Sequence, residues 1–174
     1  MPGDQSHWLI DRLTAELDEL PRVCWLIPLD RRSVPPPDGL GEWSAHRHLV
    51  HLATYEGKAV RPVISHLAEG LPIDPRYNGT PEQRSEIEAW ENAPDLFEVL
   101  DEWRQARRAI LDQLTAIPSE VWPAEVLHPA FGPLSLERYT IKIHQHTIHH
   151  LDRLLQMIFW WDFSVRPKLD YDKL

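Results

Sequence analysis

The sequence predicts an all-α protein, a four-helix bundle, on three observations. Four long stretches carry helix-forming residues with apolar positions at helical spacing. No clean period-2 run marks a strand. The stretches are separated by short-to-medium connections rich in proline and glycine. Antiparallel helices joined this way pack as a bundle, and facing helices bring side chains into a shared interior. At 174 residues, one domain spanning 1–174 is expected, long enough to bury a core without staples.

The first helix is expected to start near Asp4 or Ser6 as a cap. It runs through "WLIDRLTAELDEL" and continues past Pro21, with a kink, to about Ile27. "PLDRRSVPPPDGLGE" reads as a loop. The second helix opens at Trp43 or Ser44 and runs to about Glu69, with Pro62 inside it predicting a kink. After the loop "GLPIDPRYNGTP" comes a short helix, "PEQRSEIEAWEN". The third long helix spans about Pro94 to Ala116, with proline at its first position. "IPSEVWPAEVLHPAFGPL" reads as irregular, with room for one short turn. The fourth long helix takes Ser135 as its cap and reaches about Trp160.

Composition narrows the function. Net charge is −9 with histidines neutral, and no Lys/Arg cluster exceeds a pair, so nucleic acid is not an expected partner. No apolar run is long enough to span a membrane, and "MPGDQSHWLIDRL" lacks the features of a signal peptide. A lone cysteine, Cys24, fits a reducing compartment, so a cytoplasmic location is expected. Cys24 sits in apolar "RVCWLI" and reads as an inert core residue.

The chemistry lies in the histidines, of which there are 10. "HQHTIHHLDRLL" holds His144, His146, His149 and His150. At about 100° per residue, Leu136, Tyr139, Ile143, His146, Thr147, His150 and Leu154 share one arc. Gln145, His149, Asp152 and Gln156 fall opposite, and His144 lies on a flank. His146 and His150, at i and i+4, can converge on one ion. Two ligands hold an ion weakly, and a stable site that keeps an open position needs a third.

The second helix, "GEWSAHRHLVHLATYE", offers His46, His48 and His51. Its apolar stripe is Ala45, Leu49, Leu52, Ala53, Val60, Val63, Ile64 and Leu67. His51 is not at the centre of that stripe, and His48 lies nearer its edge. Spacing alone therefore leaves His48 as an alternative ligand. Tyr55 is one turn beyond His51 on the same side and can line the same cavity.

Together the two segments resemble the DinB/YfiT-like proteins. "EWSAHRHLVHLATYE" is similar to that family's W-S-x-x-E-x-L-x-H-L-A segment, in which His51 matches the histidine. "FGPLSLERYTIKIHQHTIHHLDRLLQ" is similar to its final helix, where a G-x-x-S/T-L lead-in precedes H-x-x-x-H, matched by His146 and His150. The resemblance implies an up-down-down-up bundle holding one divalent metal on His51, His146 and His150. It also implies kinship with thiol S-transferases and isomerases that use bacillithiol or mycothiol, and a homodimer. The sequence departs from the family at Arg47, where an acidic residue is common, and at His48, usually aliphatic. It departs again at Arg153, often glutamine.

Three histidines with open positions suit Zn, Ni, Co or Fe and can activate a water or a thiol. With Cys24 buried, a reacting thiol has to come from an external low-molecular-weight cofactor. Tyr55 and Arg153 are the substrate-binding candidates. Arg153 can grip a carboxylate or form an interhelix salt bridge. Glu56 is a lesser candidate for a base, with a salt bridge as the simpler role. The expected activity is S-transfer to electrophilic small molecules, or a related hydrolysis. The alternatives are a non-catalytic, stress-related metal-binding bundle that senses or sequesters, and a module whose histidines merely pack. The tail "MIFWWDFSVRP" cannot bury all its aromatic rings on one face, which leaves some for the bundle end or a second subunit.

Overall fold

A computed structural model describes residues 2–36, 40–73, 95–129 and 131–165. Helix α1 is Pro2–Leu26, followed by a 3-10 turn at Leu29–Arg31. Helix α2 is Ala45–Tyr55, a π-helical turn covers Glu56–Val60, and α3 is Arg61–Glu69. Helix α4 is Leu96–Ala116, strands β1 and β2 are Glu125–His128 and Gly132–Ser135, and α5 is Leu136–Val165.

Two apolar clusters fix the helix directions. Leu9 and Leu13 from the first half of α1 pack with Ile64, Ile110, Leu114, Leu136 and Tyr139. Leu20 and Cys24 from its second half pack with Leu49, Val99, Trp103, Leu154 and Met157. Helices α1 and α5 therefore run one way, and α2–α3 and α4 the other. This is the up-down-down-up four-helix bundle. All eight stripe residues of the second helix, from Ala45 to Leu67, are buried.

Several local expectations need correction. Helix α1 starts at Pro2, ahead of Asp4 and Ser6, and Ser6 is buried within it. The second helix is not a single α-helix kinked at Pro62. Proline has no N–H for the carbonyl of Lys58, four residues back, and its ring crowds that group. The π turn at Glu56–Val60 widens the helix there, and Pro62 falls in the first turn of α3. Helix α4 is capped by Asp95, whose Oδ1 accepts from the Phe97 amide at 3.2 Å, so proline is not its first residue. The short helix expected over "PEQRSEIEAWEN" lies outside the described residues.

The stretch read as irregular contains an antiparallel hairpin with register Glu125↔Ser135 and His128↔Gly132. Its strands are four residues long, too short for alternation to show in the sequence. The turn closes on Gly132 at φ +71, a conformation that favours glycine. The hairpin feeds directly into α5, where the Ser135 hydroxyl accepts from the Arg138 amide at 3.3 Å. At the far end of α5, Trp161 turns into the core while Phe159 and Trp160 are about half exposed.

Ser44 caps α2, accepting from the Arg47 amide at 3.2 Å. Because α2 carries His48 and His51, its first turn matters beyond stability. Ser44→Ala should cost about 1 kcal/mol, read as a lower denaturation midpoint at unchanged slope.

Candidate metal centre

Between the two apolar clusters the bundle carries a polar layer. On α5 the helical repeat turns Ile143, Thr147, His150 and Leu154 inward, and leaves Gln145, His149 and Asp152 exposed. His146 is half-buried on the edge of that face. On α2, Leu49, Leu52 and Ala53 pack inward and leave His51 half-buried, facing α5.

Three imidazoles meet there. His51, His146 and His150 each offer a ring nitrogen, and these atoms lie within 4.8 Å of one another. The Nε2 atoms of His51 and His146 are 3.1 Å apart, and those of His146 and His150 are 3.2 Å apart. Two imidazole nitrogens sharing one ion at about 2.0–2.1 Å lie roughly 3 Å from each other, so this spacing fits a common ion. Burial is the first cause that lowers the pKa of all three. His146 falls to about 3 and His150 to about 2, each further lowered by neighbouring histidines. His51 is lowered by burial and then by Arg47. The rings are therefore neutral near pH 7, with lone pairs available to a metal.

His48 does not join the three. It is 6% exposed, deeper than His51, yet its Nδ1 sits 2.7 Å from Nδ1 of His150, the nitrogen facing away from the cluster. The wheel leaves His48 and His51 both open, whereas convergence in the structure favours His51. Trp43, just ahead of the α2 cap, roofs this region. Its ring centroid is 5.1 Å from that of His51, 5.4 Å from His48 and 6.2 Å from His150, near-parallel to the last.

Tyr55 lies beside the cluster, its ring 4.7 Å from that of His146 and near-parallel to His51 at 6.2 Å. Lys142, one turn before His146, donates to the Tyr55 hydroxyl. Its ammonium sits 4.9 Å from the Tyr55 ring, 5.0 Å from Phe131 and 5.4 Å from Tyr139. On the other side, Arg153 lines a 250 Å³ hollow with Leu40, Gly41, Glu42, Trp43 and His48. Its guanidinium donates to Gln156 on its own helix at 3.2 Å. The remaining candidates have other partners. His144 pairs with Glu16 at 2.5 Å, and Glu56 pairs with Arg107. Cys24 is fully buried, its thiol pushed up to about 12 by burial.

Sequence reasoning missed Lys142, Trp43 and the Arg107 network. Lys142 carried a usable signal, since it lies four residues before His146 on the same face of α5. Arg107 carried none, because one arginine on a helix looks like any exposed cation.

A family model of the DinB superfamily matches residues 6–153. The chain belongs to the DinB superfamily. Among solved structures, this DinB-superfamily chain is similar to TT2238, described as a four-helix bundle protein. The TM-score is 0.62 at 22% identity, covering 87% of this chain and 98% of that one. That likeness shows the shared fold. No curated protein matches the sequence. No helix among the described residues is long and apolar enough to cross a membrane.

The histidine cluster sets a pH dependence on the metal-free protein. The folded-state pKa values of His48 (about 4), His146 and His150 lie below the ordinary 6.5. Between those values the unfolded chain binds more protons than the folded one, so stability rises with pH. It is fully present above about pH 6.5 and is lost progressively as pH falls through about 4 to about 2. Denaturant unfolding of the metal-free protein should show a lower midpoint at pH 5 than at pH 7.5. The difference should shrink in His146→Leu; an equal difference in both proteins would contradict this origin.

Proposed function

We propose that this protein holds one divalent transition-metal ion on His51, His146 and His150 and transfers an external thiol to electrophilic small molecules. The observation that carries the reading is the convergence of three neutral imidazole nitrogens at a spacing that suits one ion. Borderline nitrogen donors suit Zn, Ni, Co or Fe. An ion there supplies Lewis acidity that favours the deprotonated form of a thiol or a water beside it.

The protein's own residues supply the rest. The three histidines come from two facing helices, which fixes them before substrate arrives. Trp43 excludes water from one side and offers a flat apolar wall. Tyr55, whose hydroxyl is held by Lys142, lays its ring beside His146 and His51. Arg153 offers a guanidinium in the adjoining hollow, suited to a carboxylate of the thiol or of its acceptor. Cys24 is buried with its pKa raised, so the thiol is an external one such as bacillithiol or mycothiol.

The test is conjugation of a low-molecular-weight thiol to a chlorinated nitroarene, followed by mass spectrometry with metal-loaded protein. The reading predicts conjugate formation above the uncatalysed rate, lost in His51→Ala and His150→Ala. Metal-loaded protein that leaves the rate unchanged with bacillithiol, mycothiol and simpler thiols would overturn the transferase reading. It would leave a metal-binding bundle that senses or sequesters.

A further inference from the structure

We infer that His48 is a positioning residue for the metal centre, fixing the tautomer and ring orientation of His150 by accepting a hydrogen bond from its Nδ1–H. The inference rests on the metal-binding reading above and extends it to a residue outside the three-histidine group.

The argument begins with the two facing nitrogens. Nδ1 of His48 and Nδ1 of His150 are 2.7 Å apart, so one of them carries the proton between them. His150 turns its other nitrogen, Nε2, towards His146 and the cluster. For Nε2 to present a lone pair there, the ring proton of neutral His150 has to sit on Nδ1. His150 is then the donor and His48 the acceptor, and the His48 proton sits on its own Nε2. This is the role that a carboxylate or a backbone carbonyl commonly plays behind a metal-ligating histidine.

Packing holds the pair in place. His48 is 6% exposed and His150 3% exposed, so water does not readily substitute for either partner. The Trp43 ring lies 5.4 Å from His48 and 6.2 Å from His150, which restrains both rings on one side. The His48 and His150 ring centroids are 5.0 Å apart, the separation that follows when a 2.7 Å N···N contact lies close to both ring planes, and the 68° between the planes is compatible with that bond. Both helices contribute one partner, so the bond also ties the α2 and α5 halves of the site together. An aliphatic residue at 48 would leave the Nδ1–H of His150 buried without this acceptor, and the ring free to flip.

The experiment compares wild type, His48→Leu and His48→Asn. Asparagine can place its side-chain oxygen close to where the Nδ1 of His48 stands, and it accepts but does not reproduce the ring. Zn²⁺ affinity is measured by competition with a chromophoric chelator, and the site is also read from the visible spectrum of the Co²⁺-loaded protein. His48→Leu should bind Zn²⁺ about 10–100-fold more weakly and show an altered Co²⁺ spectrum. His48→Asn should recover most of the affinity and the spectrum. Equal Zn²⁺ affinity in wild type and His48→Leu would overturn the inference and leave the metal site intact. Equal weakening in Leu and Asn would also overturn it, since a direct ligand or a packing role predicts that pattern. A wild-type protein that takes up neither ion would instead overturn the metal-binding reading itself.

Discussion

Replacing Arg107 with methionine should cost the bundle about 3–5 kcal/mol, the largest stability loss expected of any single change. Arg107 is fully buried on α4, between Trp103 of one apolar cluster and Ile110 of the other. Its guanidinium reaches all three neighbouring helical segments. It donates to Glu16 on α1, to both oxygens of Glu56 at 2.5 and 2.8 Å, and to the Thr147 hydroxyl on α5 at 2.7 Å. Burial works against its charge, yet Glu56 and Glu16 outweigh burial and hold it protonated. Burial likewise raises the pKa of Glu16, opposed by Arg107 and His144.

Methionine fills similar space but strands two buried carboxylates without their cation, and an uncompensated buried charge is far costlier than a lost surface pair. For a chain of this size, each kcal/mol lowers the melting temperature by about 2–4 °C, so the drop should be on the order of 10 °C. Arg104 is the control. It pairs with Asp101 at 3.2 Å with side chains 34% and 67% exposed, and Arg104→Ala should change stability by no more than about 1 kcal/mol. Denaturant unfolding measures both. A loss below about 1 kcal/mol for Arg107→Met would mean that the network does not hold the helices together.

Removing His146 or His150 should have the largest effect on metal binding. Partners of a ligating histidine alone are worth about 10–100-fold in affinity, so loss of a ligand should weaken binding by more than about 100-fold. His146→Ala and His150→Ala should therefore lose their ion on dialysis under conditions where wild type retains it. His149 sits on the exposed side of the same helix, and His149→Ala should keep wild-type affinity. The contrast separates a defined site from loose binding by a histidine-rich helix. Retention of a full equivalent by His150→Ala would show that the ion sits elsewhere.

The bundle was legible because it rests on period. The stripe from Ala45 to Leu67 and the inner face of α5 are set by 3.6-residue spacing, and every apolar residue of the stripe is buried. The π turn was not legible, since Pro62 announces a disturbance but not whether the helix kinks or widens. The hairpin was missed because strands of four residues are too short for a period to register. At the site, spacing could pair His146 with His150 but could not choose between His48 and His51. That choice depends on how α2 and α5 face each other, a tertiary fact with no local sequence signature. The structure places the more deeply buried His48 ring behind His150.

The most direct measurement is elemental analysis of protein purified without chelator or nickel resin, repeated after chelator stripping and metal addition. The three-histidine centre predicts one zinc, nickel, cobalt or iron per chain, regained after stripping and absent from His146→Ala. Protein that carries none of these metals as purified, and takes up none on addition, would contradict it.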